Sequence, residues 1–224
     1  VKREIKITND GSKTLFINDL NESYHSHHGA LQEALHVFID NGLILIKNCE
    51  INILELGFGT GLNVLVTINE FLKTDKYHKI NYFSLEKYPI NDYEISELGY
   101  ERLFGSTQTV DIYRHIHAAE WEVPVEIISG FNLTKIKCDF FELENLQLPP
   151  IDLVYFDCFG ARVQPDLWEK PLFEMVSEKM KKHGLLTTYS SKGSVRRILE
   201  ALDFDVQKKP GPPGKREMIN AVKK

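Results

Sequence analysis

The sequence predicts an α/β fold: a mostly parallel sheet wound with helices, closed by an antiparallel last strand and preceded by a hairpin and a helix. Three observations predict it. From Ile51 onward, short apolar runs alternate with amphipathic stretches, the pattern of strands and helices taking turns across one sheet. Near the end, only the Pro- and Gly-rich turn at 210–214 separates two strand-like runs, which therefore pair antiparallel, because a parallel pair needs a long crossover. With 224 residues, 42% of them hydrophobic, the chain can bury one substantial core but is short for two.

The first fifty residues differ in kind from the rest. Residues 4–8 and 14–17 alternate in polarity around Asn9, Asp10 and Gly11, and an Asp-Gly pair between such runs is a strong hairpin signal. Tyr24, His25, Ser26, His27, His28 and Gly29 follow, and then an apolar helix containing Leu35, Val37 and Phe38. Residues 1–50 are expected to form a flap over the carboxyl edge of the sheet, within the same domain as the core at 51–224. Core strands are predicted at 51–56, 80–86, 134–138, 151–156 and 185–189. Helices are predicted at 62–73, 92–98, 107–120, 167–181 and 195–202, and closing strands at 205–208 and 216–222. No internal repeat or low-complexity segment interrupts this order.

Composition excludes several classes. The chain has no cationic, apolar start of the signal-peptide kind and no apolar run near the about 20 residues that span a bilayer, so no membrane partner and a cytoplasmic location are expected. Cys49, Cys138 and Cys158 share no metal-ligand or redox spacing and read as buried free thiols. The net charge of -5 argues against indiscriminate nucleic-acid binding, but it is unevenly spread. From Lys179 to Lys224, twelve Lys and Arg face four acids, a net +8 that leaves -13 for the remainder. Such asymmetry suits one face meeting an anionic partner, although solvated helix faces and a frayed end would give the same count.

The first core strand runs straight into Gly57, Phe58, Gly59, Thr60 and Gly61, and a helix starts at once with Leu62 and Asn63. Glycines there permit a close backbone approach to a ligand and aim amide groups of the helix N-terminus at it. Their spacing is G-x-G-x-G, whereas a dinucleotide site wants G-x-G-x-x-G, with a third glycine where Leu62 or Asn63 stands. A nucleoside with an amino-acid tail needs less phosphate-binding backbone and more polar side chains. Acids supply them at successive strand ends: Glu55 to order the loop or meet an amino group, Glu86 for ribose hydroxyls, and Asp139 for an adenine amine with Phe140 to stack. Singly, Glu55 could cap a loop, Glu86 could pair with Lys87 and Asp139 could begin a turn. The fourth strand ends in Asp157, Cys158 and Phe159, where an acid could hold an amine nucleophile and help take its proton, or could cap the following turn. His25, His27, His28 and His36 lack a metal-ligand spacing, so no metal is expected and a polar substrate flap is preferred. Trp121 and Trp168 sit on helical patterns and read as packing residues.

An antiparallel last strand beside a parallel sheet is the arrangement of the Rossmann-like S-adenosylmethionine-dependent methyltransferases. More specifically, the chain resembles the methyltransferase domain of the tRNA modification enzyme MnmC and its stand-alone relatives. The likeness is carried by Tyr24, His25 and Ser26 with Gly29 and Ala30, by His36 to Ile39, by ELGFGTGLN at 55–63 and by FSLEKYP at 83–89. It continues through YFDCF at 155–159, PDLW at 165–168, SVRR at 194–197 and GKREM at 214–218. The resemblance implies methylation, from S-adenosylmethionine, of the exocyclic amine of 5-aminomethyl-2-thiouridine at wobble position 34, with the tRNA anticodon stem-loop as partner. It implies Asp157 as the catalytic residue, and a cofactor held by Glu55, Gly57, Phe58, Gly59, Gly61, Asn63, Glu86, Lys87, Asp139 and Phe140. Tyr24, His25, Ser26, Phe159, Lys215 and Arg216 are the implied substrate contacts. The full-length family form carries a flavin (FAD) oxidase module after this domain; none is expected in this chain, so a separate protein or another route would supply the aminomethyl group. The chain departs from the family at 158–162, at the bottom of the substrate pocket, and at 211–214, before the KREM segment.

Rival readings keep parts of this picture. Aminopropyl transfer shares the fold, but polyamine synthases place a further acid in the glycine loop, where Thr60 stands. A non-catalytic RNA-binding protein would not need Glu55, Glu86, Asp139 and Asp157 together. Nicotinamide-dependent redox chemistry is disfavoured by the glycine spacing.

Overall fold

Asp10 and Gly11 turn the chain as their pairing predicts, with Gly11 at φ +82° and the Asp10 carboxylate accepting from the Ser12 amide at 3.0 Å. The computed structural model describes residues 2–104 and 107–224. In it, β1 (Arg3–Ile7) and β2 (Lys13–Ile17) form the expected antiparallel hairpin, and β3 (Glu22–Ser23) adds a short third strand. Helix α1 (Ala30–Ala34) passes into a π-helical turn at Leu35–Asp40, whose Val37, Phe38 and Ile39 are buried. The Val37 carbonyl accepts from Thr187 Oγ1 at 3.0 Å, which ties this segment to the main sheet. A buried ion pair between Arg3 and Glu94, at 3.1 Å, ties the hairpin to the helix at Asp92–Leu98.

The main sheet and its helices follow in order: β4 (Glu50–Leu56), α2 (Leu62–Lys73), β5 (Lys79–Leu85), α3 (Asp92–Leu98) and α4 (Thr107–Ala118). Next come β6 (Pro124–Ile128), β7 (Phe131–Ile136), β8 (Ile151–Phe156) and α5 (Lys170–Lys179). The chain ends with β9 (Met180–Thr188), α6 (Gly193–Ala201), β10 (Phe204–Pro210) and β11 (Glu217–Lys223). Helices α2 and α3 have the predicted bounds; α3 starts at an Asn91 capping box closed by Glu94.

Other elements differ from expectation, several of them by more than a residue or two at an end. Strand β6 was not predicted: it begins at Pro124 and lies on the sheet edge, the place where a proline without an amide hydrogen is tolerated and where alternation is weak. Its antiparallel partner β7 consequently starts three residues before the predicted strand at 134–138. The helix predicted at 167–181 is split. Pro165–Trp168 make a 3-10 turn, α5 begins at Lys170 with a proline in its first turn, and the chain enters β9 at Met180 instead of continuing as helix. Cys138 and Cys158 are buried as expected, but Cys49 is exposed, in the turn ahead of β4, where its carbonyl accepts from the His78 and Lys79 amides.

The strands align in the order β10-β11-β9-β8-β4-β5-β7-β6. Strands β9, β8, β4, β5 and β7 are parallel, while β11 is antiparallel to both neighbours and β6 is antiparallel to β7. This is the mostly parallel sheet with an antiparallel last strand that the sequence predicts. Alternation along β4 sends Ile53 into the layer with Leu65, Tyr82 and Tyr155, and sends Leu54 and Leu56 into the layer with Val154, Phe156 and Phe173. After β4 the chain crosses toward β5, whereas β8 lies on the other side of β4. The loops leaving β4 and β8 therefore part from each other, and a crevice opens at their carboxyl ends, as it does at such switch points in open sheets. Among the described residues, no helix is long and apolar enough to cross a membrane.

Candidate functional site

The crevice is a cleft of about 530 Å³, within the range of small-molecule sites. Its walls come from the glycine loop after β4, the ends of β5 and β8, the Asp139–Phe140 corner, the Glu22 to His28 segment, Tyr189 and Lys215.

The glycine loop is held from behind. The Gly57 and Phe58 amides both point at the Leu85 carbonyl at 3.0 Å, and the Thr60 carbonyl accepts from Tyr113 Oη at 3.2 Å and His117 Nε2 at 3.1 Å. Phe58 packs edge-on against His117 and Trp121, and the buried Lys135 ammonium donates to the His117 carbonyl while lying 4.9 Å from the Trp121 ring. Two positions demand glycine. Gly57 has φ +105°, and a Cβ there would come within 2.8 Å of the Asp157 carbonyl; Gly59 has φ +50° and lies under the Tyr24 ring. This cradle, which a Cβ would fill, together with the carboxylates around it, fits S-adenosylmethionine: flat contact along backbone, with acids for hydroxyls and amines.

The predicted cofactor residues do not all lie in the cleft. Gly57, Phe58, Gly59, Asn63, Glu86, Lys87, Asp139 and Phe140 line it. Gly61 does not; it packs against His117 and Phe58 at the start of α2. Glu86 reaches back to the loop, its two oxygens accepting from the Gly59 amide at 3.0 Å and the Tyr88 amide at 2.7 Å, which leaves one lone pair on each for ligand hydroxyls. Lys87 pairs with Asp139, not with Glu86, at 2.7 Å. Asp139 also caps the 3-10 turn at Phe140–Asn145, and its pKa is held below the usual value, chiefly by the Lys87 hydrogen bond.

Glu55 sits beneath the loop, outside the cleft lining, fully buried. Oε2 accepts from Ser84 Oγ at 2.5 Å, and burial pushes the carboxyl up to about 8 against that hydrogen bond. It is therefore protonated at neutral pH. Folding raises this acid from its ordinary 4.5, so the native state binds the extra proton between the two values and stability falls as pH rises from 4.5 through 8. Glu55→Gln mimics the protonated form. We expect its Tm to match the wild type at or below about pH 4, where the wild-type acid is protonated in both states, and to exceed it by several degrees at pH 9, on a scale of about 2–4 °C per kcal/mol for this chain length. Thermal melts at the two pH values check this, and a wild type more stable than Glu55→Gln at pH 9 would refute it.

At the reaction end, Asp157 lies at the cleft floor with Oδ2 accepting from Asn63 Nδ2 at 2.8 Å. Burial pushes its pKa up to about 7; the Asn63 bond and the Lys215 charge pull it down, and Glu33 raises it. Tyr24 and Phe159, which meet edge-on at 5.0 Å, and Ser26 also line the cleft. His25 lines it too, but its ring joins the hairpin to the loop: Nδ1 meets Thr14 Oγ1 at 3.1 Å and Nε2 meets Thr60 Oγ1 at 3.5 Å. Burial holds this imidazole near 4, so it is neutral. His36 is drawn away to the Pro210 carbonyl at 2.8 Å. Lys215 enters the cleft, whereas Arg216, the next residue of the same loop, is exposed and does not line it. Among the described residues, no group of three His, Cys, Asp or Glu is placed to hold a metal ion.

Among the cleft residues that escaped sequence reasoning, two stand beside Lys215. Glu33 is buried and accepts from the Ser26 amide at 2.9 Å; its only signal was a charge within the first helix, ahead of an apolar run. Tyr189 follows β9 and donates to the Cys158 carbonyl at 2.7 Å; its place just beyond a parallel strand was a usable signal.

Residues 114–224 match a family model described as S-adenosyl-L-methionine-dependent methyltransferase. The chain is similar to the tRNA 5-methylaminomethyl-2-thiouridine biosynthesis bifunctional protein MnmC of Leptospira interrogans, at 29% identity over 216 residues, covering 88% of this chain and 32% of that protein. The MnmC protein of Methylobacillus flagellatus is 28% identical over 205 residues, with 88% and 32% covered. The chain thus spans about a third of the length of these curated relatives. Among solved structures, MnmC2 from Aquifex aeolicus superposes with a TM-score of 0.78 at 27% identity, covering all of this chain and 70% of that one. The resemblance to the methyltransferase domain of MnmC therefore holds in sequence and in fold.

Proposed function

We propose that this chain is a tRNA methyltransferase that moves a methyl group from S-adenosylmethionine to the exocyclic amine of 5-aminomethyl-2-thiouridine at wobble position 34. The observation that carries the reading is Asp157, a carboxylate at the floor of the cleft with a pKa near 7, beside a glycine cradle shaped for a nucleoside. Gly57 to Asn63, Glu86 and the Asp139–Phe140 corner would hold the cofactor. When bound, it supplies a methyl group on a sulfonium, already a good leaving group.

The protein's task is to present an unprotonated amine in line with that methyl. Asp157 takes one proton from the arriving ammonium, and Asn63 fixes the Oδ2 edge of the carboxylate so that Oδ1 faces the amine. The nitrogen lone pair then forms the new N–C bond as the C–S bond breaks, and the positive charge passes from sulfur to the product's secondary ammonium. The acceptor uridine must already carry its aminomethyl group when it arrives, and the reading puts the chain with its tRNA in the cytoplasm.

Nucleoside mass spectrometry tests the function directly. Purified protein with S-adenosylmethionine is expected to add one methyl mass to 5-aminomethyl-2-thiouridine in tRNA from cells lacking this methylation, and no gain at that nucleoside would end the proposal. Putrescine with decarboxylated cofactor is expected to give no product; turnover there would favour aminopropyl transfer. The anticodon stem-loop would meet the basic C-terminal part of the chain, where Lys182, Lys192, Arg197 and Arg216 are exposed. Affinity for tRNA is then expected to fall by at least about tenfold between 50 and 200 mM salt, since each phosphate contact releases counterions. A flat salt profile in a binding titration would return that surface to simple solvation.

A further inference from the structure

One side-chain cluster at the acceptor end of the cleft has no place in the chemistry above. Lys215 extends from the β10–β11 loop into the cleft, with Nζ 2.5 Å from Glu33 Oε1 and 3.8 Å from the centroid of the Tyr189 ring. A carboxylate on one side and an aromatic face on the other is the ordinary environment for an alkylammonium. Lysine's terminal CH2–NH3+ is chemically the same group as a protonated aminomethyl substituent.

We propose that Glu33 and the face of Tyr189 form the recognition site for the acceptor's ammonium group, and that Lys215 occupies this site until the acceptor displaces it. The inference rests on the amine-methylating reading of the cleft and adds to it the residues that choose an amine.

Three observations support displacement over a fixed structural bridge. Glu33 and Tyr189 are positioned without Lys215: Glu33 Oε2 is held by the Ser26 amide at 2.9 Å, and Tyr189 Oη donates to the Cys158 carbonyl at 2.7 Å. Lys215 is the more exposed member, with a side chain 34% exposed against 11% for Glu33, so its ammonium has a way out to solvent. Glu33 is too buried to be left without a cation, so the exchange must replace one ammonium by another. Glu33, Tyr189 and Asp157 line the same cleft, so an ammonium received by the first two lies close to the carboxylate that takes its proton.

The test is an affinity ratio. With S-adenosylhomocysteine saturating, anticodon stem-loop RNA carrying 5-aminomethyl-2-thiouridine is compared with the same RNA carrying 2-thiouridine, so that contacts to the rest of the RNA cancel. Wild type is expected to prefer the amine by at least about fivefold, or about 1 kcal/mol. Glu33→Gln should bring the preference below twofold. Lys215→Met, which removes the internal competitor, should raise it at least twofold. A preference absent from wild type, retained in Glu33→Gln, or unchanged or lowered in Lys215→Met would overturn the proposal. The Lys215 variant keeps the test decisive if Glu33→Gln does not fold, which its S-adenosylhomocysteine binding reports. Methylation of the amine-bearing RNA by wild type is measured alongside: no methylation defeats the functional reading, whereas methylation without the expected ratios defeats only the ammonium site.

Discussion

Asp157→Ala is expected to lower kcat/KM for methyl transfer by about 10²–10⁴-fold, the usual range for a positioned proton acceptor, while the affinity for S-adenosylmethionine changes by less than about threefold. Both halves follow from its position. The carboxylate lies at the cleft floor, held by Asn63 at 2.8 Å, while the backbone cradle of Gly57 and Gly59 is anchored separately by the Leu85 carbonyl and Glu86. Removing the side chain takes away the group that receives the ammonium's proton and leaves the cradle standing. The pH profile gives a second reading. A general base works only when ionised, and burial pushes Asp157 up to about 7, so wild-type kcat/KM should rise with pH through a limb near 7. A residual rate in Asp157→Asn should lack that limb, since the amide does not titrate. Single-turnover rates and calorimetric cofactor binding check the two claims; activity within tenfold of wild type in Asp157→Ala would remove this residue from the chemistry.

Gly57→Ala is expected to act in the opposite order, with cofactor affinity reduced by at least about tenfold and turnover lost as a consequence. Its φ of +105° is a conformation that residues with a Cβ adopt at a cost of about 1–2 kcal/mol, and about 1.4 kcal/mol is a factor of ten in binding. The added methyl would also meet the Asp157 carbonyl at 2.8 Å. That contact is backbone, not a flexible side-chain tip, and the Asp157 amide is itself bonded to the Leu56 carbonyl at 3.2 Å, so neither strand end yields without moving the other. The loop that holds the cofactor and the residue that would receive the proton are thus one mechanical unit. Calorimetry with S-adenosylhomocysteine checks the prediction, and affinity within threefold of wild type would show that the loop tolerates a side chain there.

Legibility in the sequence followed the range of the interactions involved. Helices α2 and α3 were readable to the residue, because a glycine loop opens one and an Asn-x-x-Glu capping box opens the other, and both signals act within a single turn. The antiparallel closing pair was readable because its turn is too short for any other pairing. Strand β6 and the start of β9 were not: an edge strand beginning at Pro124 has little alternation, and Met180 leaves its helix to pair with Ile151, twenty-nine residues away. Side-chain destinations were harder still. Lys87 and Asp139 stand fifty-two residues apart, and nothing in either segment announces that they meet at 2.7 Å. Arg216 follows Lys215 in the same basic motif, yet one is exposed and the other reaches Glu33, one hundred and eighty-two positions earlier in the chain.

By itself, then, the sequence determined the order of elements, the parallel sheet with its antiparallel end, the glycine turn after the first core strand, and the acids that stand at strand ends, because periodicity, turn residues and strand polarity are local properties. Tertiary structure alone decided how those acids are employed: Glu55 buried and protonated beneath the loop, Asp139 spent on a helix cap and a lysine, and Asp157 left facing the cleft opposite Glu33 and Lys215. The physical reason is that a carboxylate's charge and reach are set by the solvent it loses and the partners brought to it, and those arrive from the other side of the fold.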